Sequence, residues 1–160
     1  VAIDCAARGR AAIVGSMKVA LGADENTHLV GAVATHLEGL GHEVERFGAA
    51  AEVKEPWATT ALRVAEEVAA GRFDFGVVCC WTGTGVSIAA NKVVGIRAAL
   101  CADAETARGA RKWNDANVLA LSLRATSEQV AREMLDAWLA EPYTGSEDAS
   151  LAAISARERG

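Results

Sequence analysis

An apolar run, Val77-Val78-Cys79-Cys80, passes directly into a glycine-containing turn, Trp81-Thr82-Gly83-Thr84-Gly85. The turn leads into Val86-Ser87-Ile88-Ala89-Ala90-Asn91-Lys92, a segment of helical character. Strand, tight turn and helix in that order are the unit of a parallel α/β sheet, and such sheets carry their chemistry at the carboxyl ends of the strands. Glycine at 83 and 85 lets backbone N–H groups approach a ligand, and a helix opening near Ser87 adds the positive end of its dipole. Such a turn suits an oxyanion or a phosphate. The thiol at the junction, Cys80, stands where a cysteine can become unusually acidic and reactive. A buried strand-end cysteine ahead of a turn that merely needs glycine is spelled the same way, so the turn alone leaves both readings open.

The same alternation runs through the chain from Met17 onward. Strands are expected over 18–22, 43–47, 74–80, 97–101 and 117–121, and helices over 27–40, 57–70, 86–92, 103–112 and 127–140. That order predicts a five-stranded parallel sheet covered on both faces. Leu29, Val33, Leu37 and Leu40 form one apolar stripe of the first helix, which leaves its histidines to solvent. Ser127 is a candidate N-cap for the last long helix, with Val130, Met134 and Leu135 turned inward. A short helical pattern follows Pro142 and runs to Ala156. Functional residues are expected where strands end: at Asp24 and Glu25, from Cys80 to Ser87, at Asp103, and from Ser122 to Arg124.

With 160 residues and 51% hydrophobic content, the chain can bury one core but not comfortably two, so residues 17–160 are read as a single domain. Residues 1–16 end in Gly15-Ser16 before Met17, which has the look of a cloning junction, and are set aside as a disordered or vector-derived extension. A net charge of -5 and the lack of any Lys/Arg-rich run exclude a nucleic-acid partner. Cys5, Cys79, Cys80 and Cys101 show no CxxC spacing, and the adjacent pair points to opposite faces of a strand. A reducing cytoplasm fits that usage, with Cys79 and Cys101 as packing residues. No apolar run approaches the roughly 20 residues that span a bilayer, so no membrane partner is expected. His28, His36 and His42 lack metal-ligand spacing, and no metal is expected.

Four segments carry a resemblance: Met17-Lys-Val-Ala-Leu-Gly-Ala-Asp24, Cys80 through Lys92, Gly95-Ile-Arg-Ala-Ala-Leu-Cys101, and Asn114-Asp-Ala-Asn-Val-Leu-Ala-Leu121. Together they resemble the type B ribose-5-phosphate isomerase and galactose-6-phosphate isomerase family, over nearly everything after residue 17. The resemblance implies a three-layer Rossmann-like (flavodoxin-like) α/β domain and an aldose–ketose isomerisation that uses no metal and no cofactor. It also implies a homodimer, or a dimer of dimers, whose sites borrow residues across the interface and take a small-molecule sugar or sugar phosphate. By position, Cys80 falls on the catalytic base, Thr82 on a hydroxyl assisting proton traffic, and Gly83 with Gly85 on amides holding the enediolate. Asn114 falls on a side-chain amide facing the same oxyanion, Asp24 on a sugar-hydroxyl ligand and Arg124 on a phosphate ligand. Ser87 closes the binding turn. The chemistry is self-consistent: one base moves a proton between neighbouring carbons, and preplaced donors meet the developing oxyanion.

The chain also departs from that family. Trp113 stands where a ring-opening histidine is usual, and indole has no basic nitrogen. Glu25 replaces another histidine, and Glu147 and Leu151 fall where two phosphate-gripping arginines are usual, leaving Arg124 and Arg111 as the candidate anion ligands. Trp57, Trp81 and Trp113 are expected to border the pocket, and Glu25 with Glu55 to form an acidic pair for sugar hydroxyls. These departures predict an isomerase with an altered substrate: an acyclic or readily opened sugar such as a tetrose derivative, with ribose 5-phosphate served poorly. The rival reading is a sugar- or nucleotide-binding protein that has kept the fold and lost turnover.

Overall fold

The computed structural model describes residues 15–158. The expected extension therefore lies outside the described residues over 1–14, as does Cys5. Five strands, β1 (Lys18–Ala23), β2 (Glu43–Gly48), β3 (Phe75–Cys80), β4 (Ala98–Leu100) and β5 (Val118–Ser122), form one all-parallel sheet in the order β2-β1-β3-β5-β4. Its helices are α1 (His28–Gly39), α2 (Trp57–Ala69), α3 (Thr84–Ala90), α4 (Ala104–Asn114), α5 (Glu128–Ala140) and α6 (Asp148–Glu158). The sheet is a three-layer Rossmann-like fold, as expected.

Side-chain alternation sorts the core into two layers. Val19, Leu21, Val77, Cys79, Leu119 and Leu121 pack with α1, α4 and α5, while Ala20, Val78, Cys80, Val118 and Ala120 pack with α2 and α3. Helix α2 lies unusually close: a Cβ on Gly22 or Gly76 would come within 2.8 or 2.7 Å of a Val64 methyl group. Both glycines are needed for that approach. Ser127 caps α5 as expected, accepting from the Val130 N–H at 3.2 Å, and Met134 and Leu135 are fully buried. Two details of α1 differ. It stops at Gly39, which leaves Leu40 half exposed as the C-cap, and His36 is paired with Asp136 of α5 at 2.7 Å instead of being solvated.

Two asparagines of the family-like segments hold this frame together. The Asn91 amide donates to the Ser87 and Ala98 carbonyls (3.0 and 2.8 Å) and accepts from the Ala98 N–H (2.8 Å), so it ties α3 to edge strand β4. Asn117 does the same at the entry to β5, accepting from the Arg97 N–H at 2.8 Å and donating to the Gly95 carbonyl at 2.9 Å. Each side chain stands in for a missing backbone partner.

Candidate active site

Sheet growth reverses between β1 and β3: the connection after β1 leads to one edge, and everything after β3 builds the other side. The crevice at the carboxyl ends of that strand pair is where an open parallel sheet binds its ligand. Asp24 leaves β1 there and Cys80 ends β3. The Asp24 N–H donates to the Cys79 carbonyl at 3.3 Å, so the two exits are tied together.

The turn after Cys80 is built from several fixed contacts. The Cys80 carbonyl accepts from the Gly83 N–H (3.2 Å) and from the Leu123 N–H beyond β5 (3.0 Å). The Trp81 carbonyl accepts from the Arg124 N–H (3.1 Å) and the Ser122 hydroxyl (3.0 Å). Gly83 has φ +76, and a Cβ there would sit 2.6 Å from Leu100 Cδ1 and 2.9 Å from the Leu121 carbonyl carbon, so only glycine fits. Helix α3 opens at Thr84, earlier than expected, because Gly83 in the left-handed region serves as its N-cap. That changes the donor assignment. The Gly83 amide closes the turn, whereas the N–H groups of Thr84, Gly85 and Val86 have no backbone acceptor among the described residues.

Around this turn, the Thr82 and Thr84 hydroxyls lie 2.7 Å apart and Ser87 is half-buried in the second turn of α3. The Trp57 ring lies over Gly85, 3.0 Å from where a Cβ would be, and Trp81 is 60% exposed. The Arg124 side chain is exposed and makes no hydrogen bond or ion pair among the described residues. Burial pushes the Asp24 carboxyl above its ordinary value; its own backbone N–H opposes this, and the charge of Glu25 adds to it. Glu25 is exposed. Its expected pairing with Glu55 is not formed, because both Glu55 oxygens are held by Arg63 at 3.1 Å and one accepts from Thr60 at 2.9 Å. The three described cysteines are free and buried. Burial lifts the thiols of Cys79 and Cys101 to about 12, which leaves them protonated at neutral pH.

Asn114, Trp113 and Arg111 do not join this cluster within one chain. They end α4, which runs back from the carboxyl end of β4 to the amino end of β5, so a strand length of roughly 16 Å separates them from Cys80. Arg111 is engaged there with Asp115 (3.3 Å), the Ala116 carbonyl and the Trp138 ring, and is thereby withdrawn from anion binding in this crevice. Trp113 folds back over Gly109 of its own helix and stays 53% exposed. Asn114 is exposed beside an open cleft of about 660 Å³ whose lining includes Asn91, Arg97, Ile154 and Arg157. Glu147, near the start of α6, accepts from the Ser150 hydroxyl.

Ser122, at one of the expected strand ends, fastens the Cys80 turn through its hydroxyl. One participant has no counterpart in the sequence reading: Thr27 carries a buried hydroxyl without a partner among the described residues. The position of Thr27 just ahead of α1, where helix caps occur, was the available signal. Among the described residues no group of three or more His, Cys, Asp or Glu could hold a metal ion, and no helix is long and apolar enough to cross a membrane.

Comparison with known proteins gives a consistent picture. Residues 19–154 match the family model described as Ribose/Galactose Isomerase. The chain is 39% identical over 129 residues to ribose-5-phosphate isomerase B of Escherichia coli (strain K12), covering 80% of this chain and 87% of that protein. It is 34% identical over 131 residues to D-erythrulose-4-phosphate isomerase of Pectobacterium atrosepticum, with coverages of 81% and 86%. The solved structure of Clostridium thermocellum ribose-5-phosphate isomerase B superposes with a TM-score of 0.84 at 38% identity, covering 89% of this chain and 98% of that one.

Proposed function

This chain belongs to the ribose/galactose isomerase family, enzymes that interconvert aldoses and ketoses, and from that premise we propose that Cys80 is its base and that a short-chain sugar or sugar phosphate is its substrate. As thiolate, Cys80 takes the proton from C2 of the open-chain aldose. The C–H electron pair becomes the C1–C2 double bond, and the carbonyl pair moves onto O1. The enediolate is met by the free N–H groups of Thr84, Gly85 and Val86. The Thr82 hydroxyl carries the O2 proton to O1, Cys80 returns its proton to C1, and C2 becomes the carbonyl. Protons and electrons balance without a second reactant.

The observation that carries this reading is placement: Cys80 ends β3 at the switch point, its carbonyl pinned by Gly83 and Leu123 beside the free first amides of α3, while Cys79 packs in the opposite layer of the core. Asp24 is proposed to accept a sugar hydroxyl and Arg124 to meet any terminal anion. Asn114 completes the site from a second copy of the chain in a homodimer or dimer of dimers. Exposed Trp81, Ile88, Val94, Leu100, Trp113 and Ile154 supply apolar surface for that pairing.

Glu147 offers no cation, which favours an unphosphorylated or differently anchored sugar, and Trp113 cannot open a ring by proton transfer, which supports a substrate that is already acyclic. The erythrulose-phosphate activity named for the Pectobacterium relative points the same way. The test is solvent deuterium exchange, followed by proton NMR, over tetroses, ribose and their terminal phosphates. The best tetrose should exceed ribose 5-phosphate in kcat/KM by roughly tenfold or more, and Cys80→Ala should cut exchange by about 10²–10⁴-fold with the fold retained. Efficient turnover of ribose 5-phosphate would overturn the substrate assignment. A Cys80→Ala variant with near-normal exchange would overturn the base, and a wild type that exchanges nothing would leave a binding protein.

A further inference from the structure

Two buried side-chain oxygens stand without any hydrogen-bond partner among the described residues, Asp24 Oδ1 and Thr27 Oγ1, and they lie three residues apart in the loop from β1 to α1. Buried polar atoms in native proteins are almost always satisfied, so a pair of orphans in the loop at the carboxyl end of β1 calls for a partner that reaches them when that loop shifts to admit it. Thr27 is the more telling of the two. It occupies the N-cap of α1 with extended backbone (φ -91, ψ 170), the conformation in which a threonine hydroxyl ordinarily accepts from the first turn of its helix. Asp103 and Ser127 have comparable backbone at the starts of α4 and α5 and do accept, from the Thr106 N–H at 2.7 Å and the Val130 N–H at 3.2 Å. Thr27 makes no such bond. Its backbone is set for capping while its hydroxyl is left over.

We propose that the Thr27 hydroxyl is a substrate-binding residue that completes, with the Asp24 carboxylate, a subsite for one sugar hydroxyl beyond C2; this rests on the isomerase reading above. A carboxylate oxygen only accepts, whereas a threonine hydroxyl both donates and accepts. The pair therefore suits a group that does both, with the sugar O–H donating to Asp24 and the Thr27 O–H donating to the sugar oxygen. Adjacent Asp24 and Glu25 make this corner negative, which favours a neutral hydroxyl over a phosphate oxygen.

Thr27→Val is close to isosteric and removes only the hydroxyl. On the best sugar of the exchange screen its kcat/KM should fall by roughly tenfold or more, as expected for a site that loses a hydrogen bond to a substrate hydroxyl. The fall should vanish on the counterpart lacking the matching hydroxyl, and Thr27→Ser should recover most of it. The melting temperature of Thr27→Val should not drop, because no cap is lost. A kcat/KM within about twofold of wild type, an equal loss on sugar and deoxy sugar, or a lowered melting temperature would make Thr27 a structural residue and overturn the proposal. Calorimetric titration with D-erythrose, D-ribose and their terminal phosphates separates the two readings. Thr27-dependent binding without exchange sinks the isomerase reading and sustains the subsite, and binding of none of these sugars overturns both.

Discussion

The two edges of the sheet treat their polar groups differently. At the amino edge the charged and amide side chains are consumed by the fold: Arg97 donates to the Asn114 and Asp115 carbonyls and pairs with the Asp115 carboxylate at 2.9 Å, Arg111 pairs with the same carboxylate, and Asn117 bridges two backbone groups. At the carboxyl edge Asp24 Oδ1, Thr27 Oγ1, the first amides of α3 and the Arg124 guanidinium are left without partners among the described residues. Buried groups without partners weaken a fold, so a chain keeps them where a ligand supplies the missing bonds. The difference marks one edge as structure and the other as site. Asn114 crosses that division: it sits at the closed edge, yet its side-chain amide makes no hydrogen bond among the described residues.

A hybrid enzyme puts that division under the greatest strain. Cys80→Ala and Asn114→Ala homomers should each lose activity by about 10²-fold or more. If the two residues meet only across an interface, a mixed dimer of the two variants contains one site with both residues intact, and random mixing should restore roughly a quarter of wild-type turnover. Absence of restoration would place both residues in sites of the same chain or remove Asn114 from the chemistry. Sedimentation of a fully active monomer would remove the shared site altogether.

A smaller effect is expected from the closed edge. Asn117→Ala strands the Arg97 N–H and the Gly95 carbonyl, and should cost about 2 kcal/mol of stability, a fall of roughly 4–8 °C in melting temperature. The kcat/KM per folded molecule should stay near wild type. A loss of activity without a loss of stability would show that the amino edge does more than hold the frame.

Much of this arrangement could be read from the residues. The alternation of short apolar runs with helical segments gives the five parallel strands, and the resemblance of the Cys80 and Asn114 segments leads to the family. The placement of Asp24 and Cys80 at one crevice follows from the strand ends alone. What stays hidden is satisfaction: sequence does not tell that Asn91 and Asn117 are tied into the backbone while the Asn114 amide has no partner among the described residues, although all three lie in family-like segments. Nor does it tell that Arg63, eight residues away, takes Glu55 from Glu25. The start of α3 is hidden for a similar reason. The spelling of the turn suggests a ligand-facing Gly83 amide and a helix opening near Ser87, whereas the left-handed backbone of Gly83 makes it the cap and spends its N–H on the Cys80 carbonyl.

The smallest expected effect is one of sign. Burial raises the Asp24 carboxyl above the ordinary 3.8, so over the interval between those two values the folded chain holds more protons than the unfolded one. Stability attributable to this group therefore falls as pH rises through that interval, and the penalty for the buried charge is fully present above it. Below the ordinary value both states are protonated and the group contributes nothing. Asp24→Asn removes the charge and keeps the shape, so at pH 7 it should be more resistant to denaturant than wild type, with the advantage fading as the pH is lowered toward and below about 4. Its KM for sugar should rise over the same range in which its stability improves, since the carboxylate that weakens the fold is the one assigned to hold a hydroxyl. Denaturation curves at pH 7 and near pH 3.5, with KM measured at pH 7, decide the point. An Asp24→Asn variant less stable than wild type at pH 7 would make the carboxylate part of the frame and move the boundary between the two edges of the sheet.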